Sequence, residues 1–359
     1  MTELETDQAA LVRSGEELDL PKLNTYLRQQ GVEEVTNVRQ FPGGFSNLTY
    51  LLETASGPAF VLRRPPFGAQ IKGGHDMGRE FRVLTALRAA GYDKVPAPVV
   101  FCADETLLGA SFYVMERVAG VILRAANARS LNAAPETMRT LCENLIDNLA
   151  ALHSLDLQTT GLRALGKPEG YVQRQVDGWI GRYEKSQTDE VPAMNELAIW
   201  LRRNLPPEQS SASTGATFLH NDYKFDNVVL NPDDLTQIQA VLDWEMATVG
   251  DPLMDLGATL AYWCEAGDPD FLKGFNLTWL PGCLTRREVV ERYAAQTGRD
   301  ASGIGFYYGF GLYRNAVILQ QIYARWKSGL TKDPRFGHLL PGVVELGRMG
   351  MAAAVKKLF

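Results

Sequence analysis

Three side chains, Asp222, Asn227 and Asp243, are of the types and at the spacing that phosphoryl transfer needs. An aspartate in a loop can orient an acceptor hydroxyl and take its proton. An asparagine five residues on can turn back and bind a metal, and a second aspartate at the end of an apolar strand can hold Mg2+ against a triphosphate. The apolar runs 228–230 and 238–242 flank a turn at 231–234, which predicts a hairpin holding Asn227 and Asp243 at the same end. Asp and Asn also cap ordinary turns. Here, however, three polar residues fit one mechanism and one local structure. His220 reads as a packed scaffold residue rather than an acid or base, and Asp226 is assigned no role.

These residues need a scaffold, and the pattern of the chain supplies one. Short strands are expected at 35–40, 48–53, 59–63, 98–102 and 111–116, with a helix over 78–90. After Gly120 the chain changes character. Helical periodicity runs through roughly 134–155, 171–184, 194–204, 252–264, 286–297, 306–327 and 340–357. The layout is a strand-rich first part joined near residues 115–120 to a helical second part.

Composition narrows the class. The 359 residues are 45% hydrophobic and 22% charged, as in ordinary globular proteins, and long enough for two lobes. The acidic, polar N-terminus is not a signal peptide, and no run of about eighteen apolar residues predicts a membrane span. Four scattered cysteines suit core packing in a reducing cytoplasm. No His/Cys spacing suggests zinc, no G-x-S-x-G turn suggests a hydrolase, and no nucleic-acid motif is present.

The segment 220–227 followed by Asp243, Trp244 and Glu245 has the form H-x-D-x-x-x-x-N…D, with Asn221 where protein kinases carry Arg. It resembles the aminoglycoside phosphotransferase family of small-molecule kinases, itself similar to choline, homoserine and fructosamine kinases. By order of elements the resemblance covers roughly residues 30–330. It implies an α+β, protein-kinase-like bilobal fold, with a nucleotide-binding lobe over 1–117 and a catalytic, acceptor-binding lobe over 118–359. The implied activity moves the γ-phosphoryl of ATP to a hydroxyl, with Asp222 as base and Mg2+ on Asn227 and Asp243. Asp255 would brace the catalytic loop.

The same resemblance organises the first part of the chain. Gly43 and Gly44 would let the backbone approach phosphates, with Ser46 and Asn47 donating hydrogen bonds. Arg63 stands where the V-A-I-K strand of kinases has its Lys; a guanidinium can grip phosphate oxygens, with different reach. Glu80 is placed to pair with it, or else is a solvated helix charge beside Arg79 and Arg82. Met115 would line the adenine pocket, with hinge contacts from the Glu116 carbonyl and the Val118 amide.

The acceptor is less legible. Residues 301–359 hold eight Lys/Arg against two Asp/Glu, although the whole chain carries −6. Arg314, Tyr323 and Arg325 are the candidate acceptor contacts; the competing reading is an amphipathic helix with solvated charges. A basic, aromatic wall favours an anionic or acyl-bearing hydroxy compound over a polycationic antibiotic. Segments 61–66, 79–84 and 313–325 resemble the kinase-like domains associated with acyl-CoA dehydrogenases, which implies a hydroxyacyl, acyl-CoA-like substrate. The runner-up is a nucleotide-binding module without turnover, favoured by Arg63 in place of Lys.

Overall fold

The computed structural model describes residues 8–42, 47–66, 76–125, 131, 133–207 and 215–356. Its contacts divide the chain into two compact units. The first holds the residues up to Ile122 together with Thr159–Leu162 and Asn227–Ala247; the second holds Leu123–Gln158, Arg163–Asp226 and the chain from Thr248 onward.

The first unit opens with α1 (Leu20–Gln29), started by Asp19, whose side chain accepts from the Lys22 N–H. Strands β1 (Val35–Gln40), β2 (Leu48–Thr54) and β3 (Gly57–Arg64) lead into α2 (Met77–Ala89), β4 (Pro98–Cys102), the short α3 (Glu105–Leu108) and β5 (Phe112–Glu116). The five strands form one antiparallel sheet in the order β1-β2-β3-β5-β4. One face buries Leu23 and Leu27 of α1 against Tyr50, Leu52, Leu62, Phe112 and Val114, an apolar layer that fixes strand register. α2 is started by the Asp76 side chain and brings Glu80 into the interior.

The hairpin of β7 (Val228–Leu230) and β8 (Ile238–Val241) belongs to the same unit. It docks through the Val121–Leu230 bridge and the bond from the Val241 N–H to Lys94 O. At Gly120 an added Cβ would lie 2.4 Å from Leu230 O, so only glycine admits this approach.

The second unit is built from helices α4 (Pro135–Leu152), α5 (Tyr171–Ser186), α6 (Pro192–Arg203), α7 (Pro252–Tyr262), α8 (Arg286–Thr297), α9 (Ile304–Lys327) and α10 (Leu340–Lys356). The two three-residue strands β6 (Thr217–Leu219) and β9 (Thr248–Gly250) pair antiparallel within it. α9 is buried along most of its length, which is why its sequence lacks a clean polar stripe. It crosses α7 backbone to backbone. A Cβ on Gly257 would lie 2.5 Å from Tyr307 O, and one on Gly311 would lie 2.5 Å from Gly257 O.

Candidate active site

Arg63, Glu80, Asp243 and Glu245 of the first unit form one charged cluster. β3 points Arg63 inward, and its guanidinium lies 3.1 Å from Asp243, 3.5 Å from Glu80 and 4.0 Å from Glu245. Burial works against the Arg63 charge, but Glu80, Tyr113 and the other carboxylates outweigh it and hold the guanidinium well above its ordinary range. Burial lifts the Glu80 carboxyl, opposed by Arg63 and by the Tyr113 hydroxyl, which donates to it at 2.9 Å. Glu80 is thus an interior partner rather than a solvated helix charge. Asn47 is also buried; its amide nitrogen donates to Glu80 at 3.2 Å and to Glu245 at 3.1 Å. Gly43, Gly44 and Ser46 lie outside the described residues.

The hairpin geometry explains how Asp243 reaches this cluster. Val228 pairs with Val241, and the Leu242 N–H donates to Asn227 O at 2.8 Å, so Asn227 and Asp243 leave the same end of the ladder. Asp243 has φ 64°, a left-handed conformation that Asp tolerates better than most residues. Trp244 anchors the turn that follows, its indole donating to Val241 O at 2.9 Å. Arg79 from α2 donates to the Ala247 carbonyl. Asn227 and Asp243 offer oxygen ligands, the chemistry that Mg2+ prefers, with phosphate and water able to complete its octahedron. Among the described residues no group of three His, Cys, Asp or Glu could hold a metal by itself.

Met115 is buried and Glu116 is exposed. The Glu116 N–H is taken by Ala97 O at 2.8 Å and the Arg117 N–H by Ala59 O at 2.9 Å. Val118 packs with Ile122, Val229, Ala240 and Leu242, the last of these the residue before Asp243.

In the second unit the loop at 220–222 is held by its backbone. Asp255, fully buried on α7, accepts the His220 N–H at 2.6 Å and the Asn221 N–H at 2.8 Å. His153 lies 3.1 Å from the same carboxylate. Burial opposes the Asp255 charge, but these partners more than offset it and hold the carboxyl below its ordinary range. His220 is buried and its Nδ1 accepts the Asp222 N–H at 3.2 Å, the scaffold role expected of it. Asn221 has φ 65°, and this conformation is pinned from both sides. Arg314 donates to the Asn221 carbonyl at 2.6 Å and Tyr171 to its side chain at 3.1 Å.

From Asn221 to Asn227 buried and half-buried residues alternate, so Asp222, Lys224 and Asp226 share the more open side. Lys224 Nζ lies 3.0 and 2.8 Å from the two Asp222 oxygens and 4.4 Å from the centre of the Tyr262 ring. Burial works against the Lys224 charge, but Tyr262 and Asp222 outweigh it and keep the ammonium above its ordinary range. Burial raises the Tyr262 phenol, and the nearby Asp222 charge adds to the shift.

The three candidate acceptor contacts are not brought together. Arg314 is buried beside the loop at 220–222, with Trp179 5.5 Å from its guanidinium carbon. Tyr323 stacks on Trp326, and Arg325 is exposed more than two turns further along α9. Four residues beside the candidate site were given no role from the sequence: Tyr113, Glu245, Lys224 and Tyr262. Glu245 and Lys224, each two positions from a chosen aspartate, were open to discovery by proximity; Tyr113 and Tyr262 left no local signal.

The sequence model of the phosphotransferase enzyme family (APH) matches residues 37–290. The chain belongs to this family. Among curated proteins, acyl-CoA dehydrogenase family member 11 of Rattus norvegicus is 34% identical over 320 residues, covering 87% of this chain and 40% of that protein. The chain therefore spans about two fifths of the length of such relatives. A solved structure from Ralstonia eutropha, provisionally named an aminoglycoside phosphotransferase, superposes with TM-score 0.76 and 29% identity, covering 95% of this chain and 99% of that one. The streptomycin–ATP complex of APH(2'')-IIa shares the fold at TM-score 0.53 and 17% identity, covering 94% of this chain and 99% of that one. This phosphotransferase thus has the protein-kinase-like α+β fold. No helix among its described residues is long and apolar enough to cross a membrane.

Proposed function

We propose that this phosphotransferase is an ATP-dependent small-molecule kinase that moves the γ-phosphoryl group to an acceptor hydroxyl. The observation that carries the reading is Asp222 on a loop clamped by Asp255, five residues before Asn227, whose hairpin ends at Asp243. Asp222 orients the hydroxyl and takes its proton. Arg63, backed by Glu80, grips phosphate oxygens, and the Glu116 carbonyl and Val118 amide hold adenine beneath Met115. Asn227 and Asp243 would hold Mg2+, which when bound offsets charge on the phosphate oxygens. ATP in the solved relative supports the nucleotide.

The first unit would then serve the nucleotide and the second the acceptor. The acceptor is read as a hydroxyacyl or other anionic small molecule rather than an aminoglycoside, supported by the likeness to acyl-CoA dehydrogenase family members. Four free cysteines suit a reducing compartment such as the cytoplasm.

The competing reading, a nucleotide-binding module without turnover, draws on Arg63 standing in for Lys and being occupied by carboxylates. Asp222→Asn separates the two. It should cut phosphorylated product, followed by 31P resonance over a panel of hydroxylated metabolites, by about 10²–10⁴-fold while nucleotide affinity stays within a factor of two or so. Unchanged turnover in that variant would sink the kinase assignment of Asp222.

A further inference from the structure

Resting on the kinase reading above, we infer that Lys224 selects the acceptor. The site takes a compound whose hydroxyl is followed within a few bonds by an acyl oxygen, a carboxylate or an acyl carbonyl, that receives the Lys224 ammonium. One ammonium lies within hydrogen-bond distance of both oxygens of the proposed base. A hydroxyl that gives its proton to Asp222 must come within about 2.6–3.2 Å of one of those oxygens, which is where Nζ now stands. Lys224 therefore loses the negative charge of its partner as Asp222 takes that proton.

The ammonium then has little water to fall back on, since the Lys224 and Asp222 side chains are only 16% and 17% exposed. The ring of Tyr262 keeps it in place but offers no lone pair in exchange. Asp226, on the same side of the loop, feels the charge of Arg124 as well as that of Lys224. An acyl oxygen close to the hydroxyl restores what Lys224 gives up, and a carboxylate does so with a charge-assisted bond. A plain alcohol supplies nothing, and an amino alcohol brings a second cation against the first.

The test compares two acceptor arms with Mg2+ and ATP: 3- and 4-hydroxybutyrate, as free acids and as coenzyme A thioesters, against 1,3-butanediol, 1,4-butanediol and 4-amino-1-butanol. The expected result is a kcat/KM at least tenfold higher for the acyl arm. In Lys224→Met that preference falls at least tenfold, and Lys224→Arg retains more of it. A general folding defect would lower both arms together and leave their ratio unchanged. Equal use of diols or amino alcohols, a Lys224→Met variant with its preference intact, or ATP hydrolysis without transfer to any acyl compound would each overturn the inference. In those cases Mg2+-dependent ATP turnover lost in Asp222→Asn still upholds the kinase reading. Absence of any Mg2+-dependent ATP turnover in the wild-type chain removes that reading and the inference with it.

Discussion

Asp243 and the loop that carries Asp222 are restrained by opposite means. Asp243 is held by a counter-charge, the guanidinium of Arg63, which is shared with Glu80 and Glu245. The Asp222 loop is held by its main chain, with two N–H groups on Asp255 and a carbonyl on Arg314. A charge pair can exchange one ion for another, so in the proposed reaction Arg63 would pass from carboxylate to phosphate as Asp243 turns to a metal. Main-chain bonds have no such substitute and must persist through turnover. The first arrangement suits ligand exchange; the second suits fixed alignment.

The comparison breaks most visibly through stability. Asp255→Ala removes the acceptor of two buried N–H groups and the partner of His153, each loss worth about 1–3 kcal/mol. Urea unfolding should show a total of roughly 3–5 kcal/mol, the range for one member of a buried charged pair. Asp243→Ala, whose side chain is 35% exposed, should lose less than about 1 kcal/mol in the same experiment. Equal losses at the two positions would erase the distinction.

The next effect belongs to ligand binding. Asp243→Ala should lower Mg2+–ATP affinity by about tenfold or more, seen as loss of nucleotide-induced thermal stabilisation, and Arg63→Lys by a smaller factor because a point charge replaces a fork. Asp255→Asn, if folded, should keep that stabilisation. Smaller still is Tyr113→Phe, which deletes the 2.9 Å bond to Glu80 and should cost about 1–2 kcal/mol in unfolding free energy.

A pH series sharpens the contrast at the low end. The Asp255 carboxyl is held below its ordinary range in the fold, so its contribution is present above that range and is lost as pH falls through it. Wild-type stability should therefore drop below about pH 4 more steeply than that of Asp255→Asn, followed by urea midpoints against pH. Parallel acid limbs in the two proteins would count against a charged Asp255.

Much of the architecture was legible because its elements are long or strongly patterned. The expected helices at 171–184 and 286–297 appear as Tyr171–Ser186 and Arg286–Thr297, and the first five strands fall within a few residues of their expected bounds. The pairing of Thr217–Leu219 with Thr248–Gly250 escaped, since three residues are too few to show a period and their partners lie about thirty positions apart. The grouping of Asn227–Ala247 with the first unit depends on contacts that a linear pattern does not carry. Within the site, Asp222, Asn227 and Asp243 stood out through their spacing. Arg314 was visible only as a positive charge; that it is buried against Asn221 depends on the crossing of α9 over the loop.

That crossing has a consequence for inheritance of change. Asp255 and Arg314 reach the loop from two helices whose main chains touch at Gly257 and Gly311, with no side chain between them to absorb an error. The contact acts as a fulcrum: one methyl group added there would tilt both arms at once. A substitution remote from Asp222 would thus silence the proposed transfer while leaving the first unit intact.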